Sequence, residues 1–172
     1  MRPSNLSQNG YTLIELMVAL AASMFLLSGV SMAFVSIKTT ISSTEALENS
    51  QEVIRSTADV MTRALKQTLV VPAVTTTTTV ADTLTITQDA NTINCLGQLA
   101  AAGYTEVYTF TSPNLVCAIN AGAAQTLITG VESLSFALNG QLVTTTVKPI
   151  GLPDYLGNGV AIDTSLTADI LN

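Results

Sequence analysis

The sequence predicts an α+β protein: one long N-terminal helix, its first half transmembrane, packed on a small antiparallel β-sheet head. Three observations carry this. An uncharged apolar run without proline occupies Leu16 to Ile37. Apolar and charged residues then recur at helical spacing as far as Leu69. After Val71-Pro72 the period falls to two, with β-branched residues and turn signals. A chain of 172 residues suits one anchored domain.

The apolar run comes first. Its 22 positions span ~33 Å as a helix, enough to cross a hydrocarbon core. Leu13, Ile14, Met17, Phe25, Val30 and Phe34 sit on different sides of that helix, so it needs lipid or other helices all round. Ser28, Gly29, Ser31 and Ser36 are small and permit close helix approach. One acidic residue, Glu15, lies near its start, and an ionisable group inside a bilayer segment is by default functional.

Gly10 stands directly before this run, behind a short polar leader, and Glu15 follows about one helical turn in. The segment GYTLIELMVAL, Gly10 to Leu20, resembles the class III signal of type IV pilins and pseudopilins. The resemblance implies that a prepilin peptidase cuts between Gly10 and Tyr11 and methylates the new N-terminus at Tyr11. It implies that Glu15 meets the N-terminal amine of a neighbouring subunit and sets axial register. Residues 1–10 are then a leader, 11–37 a transmembrane and assembly helix, 38–71 an amphipathic helix of the head, and 72–172 a β-rich periplasmic head. Two residues depart from the family pattern. Tyr11 stands where Phe is usual, and Arg2 is the leader's one basic residue. With Lys38 on the far side, charge specifies orientation poorly. A leader in the cytoplasm and a head outside therefore rest on the resemblance. The competing readings are a secretory signal peptide cut near Ala19-Leu20-Ala21 and a plain signal anchor. The apolar run continues past Ala21 and holds a glutamate, and both facts oppose the signal peptide.

In the second half of the helix, apolar residues recur at Leu47, Ile54, Met61 and Thr68, flanked by Val53, Ala64, Leu65 and Leu69. This stripe needs a sheet to cover it. Ile54, Met61 and Leu65 are expected to be buried. Arg55, Asp59 and Arg63 are expected on the wet face, in Glu52–Arg55, Arg55–Asp59 and Asp59–Arg63 pairs worth ~0.2–0.5 kcal/mol each. Proline at 72 ends the helix. A continuous helix from Tyr11 to Leu69 is ~88 Å long. The weak helix formers Thr39 to Thr44 are a place where it can loosen or bend.

Beyond Pro72, the Thr75–Thr79 tract is either an exposed loop or an edge strand. Strands are expected at Asp82–Thr87, Tyr104–Thr111, Leu115–Ile119, Thr126–Gly130, Glu132–Leu138, Gln141–Val147 and Val160–Leu166. Asn139-Gly140 is a hairpin signal. Outside the cytoplasm the two cysteines, Cys95 and Cys117, are expected to pair, closing a loop worth about 3 kcal/mol. Two free buried thiols are the alternative.

The order Leu84-Thr85-Ile86, Asn94-Cys95-Leu96-Gly97, Leu115-Val116-Cys117-Ala118 and Leu127-Ile128-Thr129-Gly130-Val131-Glu132-Ser133-Leu134 resembles the head of PilW-type minor pilins. Asn94 replaces the usual Asp, and the region after Leu142 does not match. The resemblance implies a structural subunit that helps prime or cap a type IV pilus, anchored in the bacterial inner membrane until it enters the fibre. Its implied partners are other minor pilins, the major pilin, the peptidase and the inner-membrane assembly machinery. A J-type pseudopilin of a type II secretion system is the alternative, and a membrane-anchored enzyme a third reading. The chain has no histidine and no G-x-S-x-G nucleophile motif, which argues against the enzyme. No cofactor or metal is expected. After Lys66 the one base is Lys148, against seven carboxylates from Asp82 to Asp169 that read as solubilising surface. Such a surface has no footprint for nucleic acid.

Overall fold

The computed structural model describes residues 12–76, 82–153 and 156–166. The chain divides into two units, Met1–Thr44 and Glu45–Asn172. One helix, α1 (Leu13–Gln67), contributes to both. It is followed by β1 (Ala73–Thr75), β2 (Thr83–Gln88), β3 (Tyr104–Thr111), β4 (Asn114–Ile119), β5 (Gln125–Thr129), β6 (Val131–Asn139), β7 (Leu142–Pro149) and β8 (Val160–Ser165). The α+β architecture with antiparallel pairing is the expected one.

The Thr/Ser-rich stretch does not break the helix. Thr39, Thr40, Ser43 and Thr44 each donate their hydroxyl to the carbonyl four residues back, at 2.9 to 3.0 Å. The hydroxyls are satisfied within the helix by sharing carbonyls that already accept helix amides, an arrangement that costs the helix only slightly.

The second unit holds two sheets where one was expected. Strands β1 to β5 form a five-stranded antiparallel sheet in chain order, and β6 to β8 a three-stranded one. The change of sheet falls at Gly130, whose φ of +83° is open to glycine at little cost. Strand β6 then touches β1, β2, β3 and β4, and its Phe136 amide donates to Asp82 Oδ2 at 3.4 Å. A bulge at Glu132 lets Val131 pair with Pro149 and Ser133 with Lys148. It shifts the alternation by one residue, so Val131, Leu134 and Phe136 all face the core. The β6–β7 hairpin is present, but Asn139 is its last strand residue and Gly140-Gln141 its loop. Gly140, at φ +61°, takes the first loop position, as a two-residue II′ turn requires. Thr75 ends the short edge strand β1, and Thr77 to Thr79 lie outside the described residues.

One core joins the helix to both sheets: Val53, Met61 and Leu65 cluster with Leu84, Ile86, Tyr108, Leu115, Val131, Val143 and Val147. The buried stripe holds Met61 and Leu65, both fully buried as expected, but turns toward Ser50 and Thr57 and away from Ile54. Ser50, Val53, Thr57, Met61, Ala64 and Leu65 are buried, whereas Ile54 is half-buried and Leu47 and Leu69 are exposed. Thr57 enters the stripe because its hydroxyl is satisfied by the Val53 carbonyl at 2.7 Å. Arg63, expected on the wet face, is half-buried. Among the described residues the Glu52–Arg55–Asp59–Arg63 pairs do not close, while Lys148 Nζ meets Glu132 Oε1 at 2.6 Å. Exposed pairs gain too little to order long side chains.

The helix ends at Gln67, earlier than expected. The Thr68 hydroxyl donates to the Thr87 carbonyl at 2.7 Å and accepts the Val70 amide at 3.1 Å, which turns the chain out of the helix. Gln88 Nε2 donates to the Ala64 carbonyl at 2.8 Å and takes up one of the last-turn acceptors. Leu65→Ala is expected to cost ~2–5 kcal/mol and Ile54→Ala clearly less, because Leu65 is fully buried and Ile54 half so. Chemical denaturation of the full chain in detergent measures both. Equal losses would contradict this packing.

Candidate assembly site on the exposed helix

The helix begins with a cap at Thr12. The Thr12 carbonyl accepts the amides of Glu15 and Leu16 at 3.1 and 3.2 Å. Thr12 Oγ1 also faces the Glu15 amide, at 3.4 Å. Thr12-x-x-Glu15 is the capping-box spacing, a signal present in the sequence before the apolar run. Glu15 thus occupies the first turn, where the unpaired amides and the helix dipole favour an anion.

Beyond the cap the helix surface is apolar on every side. Leu13, Phe25 and Met32 are 79%, 80% and 76% exposed, and the large apolar residues through Ile37 are exposed likewise. The helix is long and apolar enough to cross a membrane. Three of its serines are satisfied internally: Ser23, Ser28 and Ser31 donate to the carbonyls of Ala19, Phe25 and Leu27 at 2.6, 3.0 and 2.8 Å. They therefore cost little in hydrocarbon. A Cβ on Gly29 would meet nothing within 4 Å, so the glycine leaves an open notch in the surface. Glu15 is different. Its carboxylate is exposed, and among the described residues it has no ion pair or side-chain hydrogen bond. Gly10 and Tyr11, the expected processing residues, lie outside the described residues.

The head carries the other expected feature. Cys95 and Cys117 are disulfide-bonded, with their Cα atoms 6.6 Å apart. The bond ties the loop between β2 and β3 to the middle of β4. Around it the structure overturns one expectation. Glu106 is not part of the solubilising surface but is 1% exposed. Its carboxylate accepts the Cys95 amide and, at 2.8 Å, the Tyr108 hydroxyl. Burial, with the Glu106 carboxylate adding to it, pushes the Tyr108 phenol far above its ordinary value, so it stays a proton donor. Burial also raises the Tyr104 phenol, whose oxygen meets the Thr92 hydroxyl at 3.0 Å. Strict alternation in Tyr104–Thr111 places Tyr104, Glu106 and Tyr108 on one face, and that period was the available signal.

Residues 5–31 match the family described as the prokaryotic N-terminal methylation motif. The matched stretch includes Gly10, Tyr11 and Glu15 and most of the apolar run. It supports a type IV pilin-like or pseudopilin-like protein with a helix compatible with inner-membrane anchoring. No curated protein and no solved structure matches the chain.

Proposed function

We propose that this chain is a minor pilin, a structural subunit that helps prime or cap a type IV pilus. In this reading residues 11–37 hold it in the bacterial inner membrane with residues 72–172 as a periplasmic head, until other minor pilins and the major pilin take it into the fibre. The observation that carries the reading is the helix surface within and beyond the methylation motif: apolar all round, with one carboxylate in its first turn, Glu15, that has no partner among the described residues. Anchoring alone needs only apolar surface. A carboxylate there costs free energy in lipid, and a cationic partner offsets that cost more fully than the first-turn amides do. The amine left at Tyr11 by the prepilin peptidase supplies that chemistry on a neighbouring subunit.

The head supports the same reading. The segments that resemble PilW-type heads are scattered in sequence but converge in the fold. Leu84, Cys95, Leu115, Cys117, Ile128, Val131 and Leu134 belong to one core cluster. The disulfide suits a head that matures in an oxidising compartment.

The test replaces the chromosomal copy with Gly10→Arg. A bulky cation at the cut site is expected to leave the leader attached, seen as an intact Met1 terminus by mass spectrometry. Surface pili are expected to fall while the major pilin is still made and processed. Normal cleavage, or normal piliation from an uncleaved chain, would refute the proposal. Normal pili with failed protein secretion would transfer it to a J-type pseudopilin.

A further inference from the structure

Glu106 is a buried charged side chain that the assembly reading leaves unused. A buried carboxylate is costly unless its lone pairs are taken up. Here one oxygen accepts the backbone amide of Cys95, and the other accepts the Tyr108 hydroxyl at 2.8 Å. Tyr108 pairs with Cys117 across the β3–β4 ladder. A single carboxylate therefore touches the loop that carries one cysteine and the residue beside the other. The loop is also organised from within, because Asn94 Oδ1 accepts the amides of Leu96 and Gln98 at 3.0 and 2.9 Å. None of these bonds passes through a sulfur atom.

We infer that Glu106 is a positioning residue for the disulfide: it docks the Cys95 loop on β3 in the dithiol protein, so that the fold brings the two thiols together before they are joined. The order of events follows from access. Cys95 is 6% exposed and Cys117 is fully buried, so an external disulfide meets Cys95 first. The Cys95 thiolate attacks one sulfur of that disulfide, breaks its S–S bond and releases one thiol. The Cys117 thiolate then attacks the Cys95 sulfur of the mixed disulfide and releases the second thiol. Two electrons pass from the cysteines to the oxidant, and the two cysteine protons end on its two thiols. A loop already docked has less freedom to lose in the second step, which raises the effective concentration of one thiol at the other.

The experiment equilibrates the full chain in detergent with mixtures of reduced and oxidised glutathione and reads the oxidised fraction of Cys95 and Cys117. Glu106→Ala is expected to lower their effective concentration by about tenfold or more, as for loss of hydrogen bonds to a charged group. Glu106→Gln keeps an acceptor for the Cys95 amide and is expected to restore it to within about threefold. Tyr108→Phe keeps the ring in the core, frees one carboxylate oxygen and is expected to fall between the two. Val143→Ala, which weakens the core from the second sheet, controls for general destabilisation and is expected to leave the value unchanged. A Glu106→Ala value equal to that of the parent, or an equal drop in Val143→Ala, would overturn the inference.

Discussion

Glu15→Ala is expected to yield a chain that is cleaved and inserted normally yet does not join other subunits. The carboxylate stands in the first turn of a helix whose remaining surface is apolar and exposed. Inside a bundle of such helices an unpaired carboxylate is among the most costly groups to bury, and a well-placed cation offsets much of that cost. In the proposed function, the cation is the secondary amine that processing would leave at Tyr11. Its own helix offers a weaker compensation through the free amides of the first turn and the cap at Thr12. The two possibilities separate on charge and on assembly. If the partner is a neighbour's amine, Glu15→Gln fails like Glu15→Ala, because shape is kept and charge is lost. Both variants are then found in the membrane, processed, and absent from complexes pulled down with the other minor pilins. Co-purification of either variant at parental levels, with normal pili, would leave Glu15 as a capping residue only.

Removal of the disulfide is the other large effect. Cys95→Ser and Cys117→Ser are each expected to destabilise the head by ~2–5 kcal/mol, the range for bridges in small secreted domains. The bond joins residues 22 apart in sequence and crosses from a loop to a central strand. The loop it holds, Asn91–Leu99, has little else in the core besides Cys95 itself. The double substitution should cost about as much as either single one, because each removes the same bond. Denaturation with and without reductant gives the measurement: the parent should shift on reduction and the variants should not. A parent that labels at both thiols without reductant, or variants that melt with it, would contradict this.

Much of the fold is legible in the residues because the patterns are local. Tyr104–Thr111 is found with the expected limits, since a half-buried strand writes its alternation directly into eight consecutive residues. The apolar run and the leader–glycine–glutamate layout are likewise contiguous. They are also the part that matches the methylation motif, at residues 5–31. The N-cap at Thr12 is equally legible in the Thr12-x-x-Glu15 spacing.

What the residues by themselves determine is therefore the type and order of elements, an apolar helix with one acidic residue, and two cysteines able to pair. Tertiary structure decided the rest. The division into two sheets turns on a left-handed φ at Gly130 and a bulge at Glu132, neither of which a hydrophobic period records. The buried helix face centres on Val53, Thr57 and Met61 because the sheets, not the apolar count, choose which side they cover. Thr68 stops the helix early because a carbonyl of β2 is there to receive its hydroxyl. Glu106 is buried because its acceptors are met by Cys95 and Tyr108, the former eleven residues away in sequence. Period and propensity are sums over neighbours in the chain. The state of a carboxylate or the end of a helix is set by partners that only the folded backbone brings within hydrogen-bond reach.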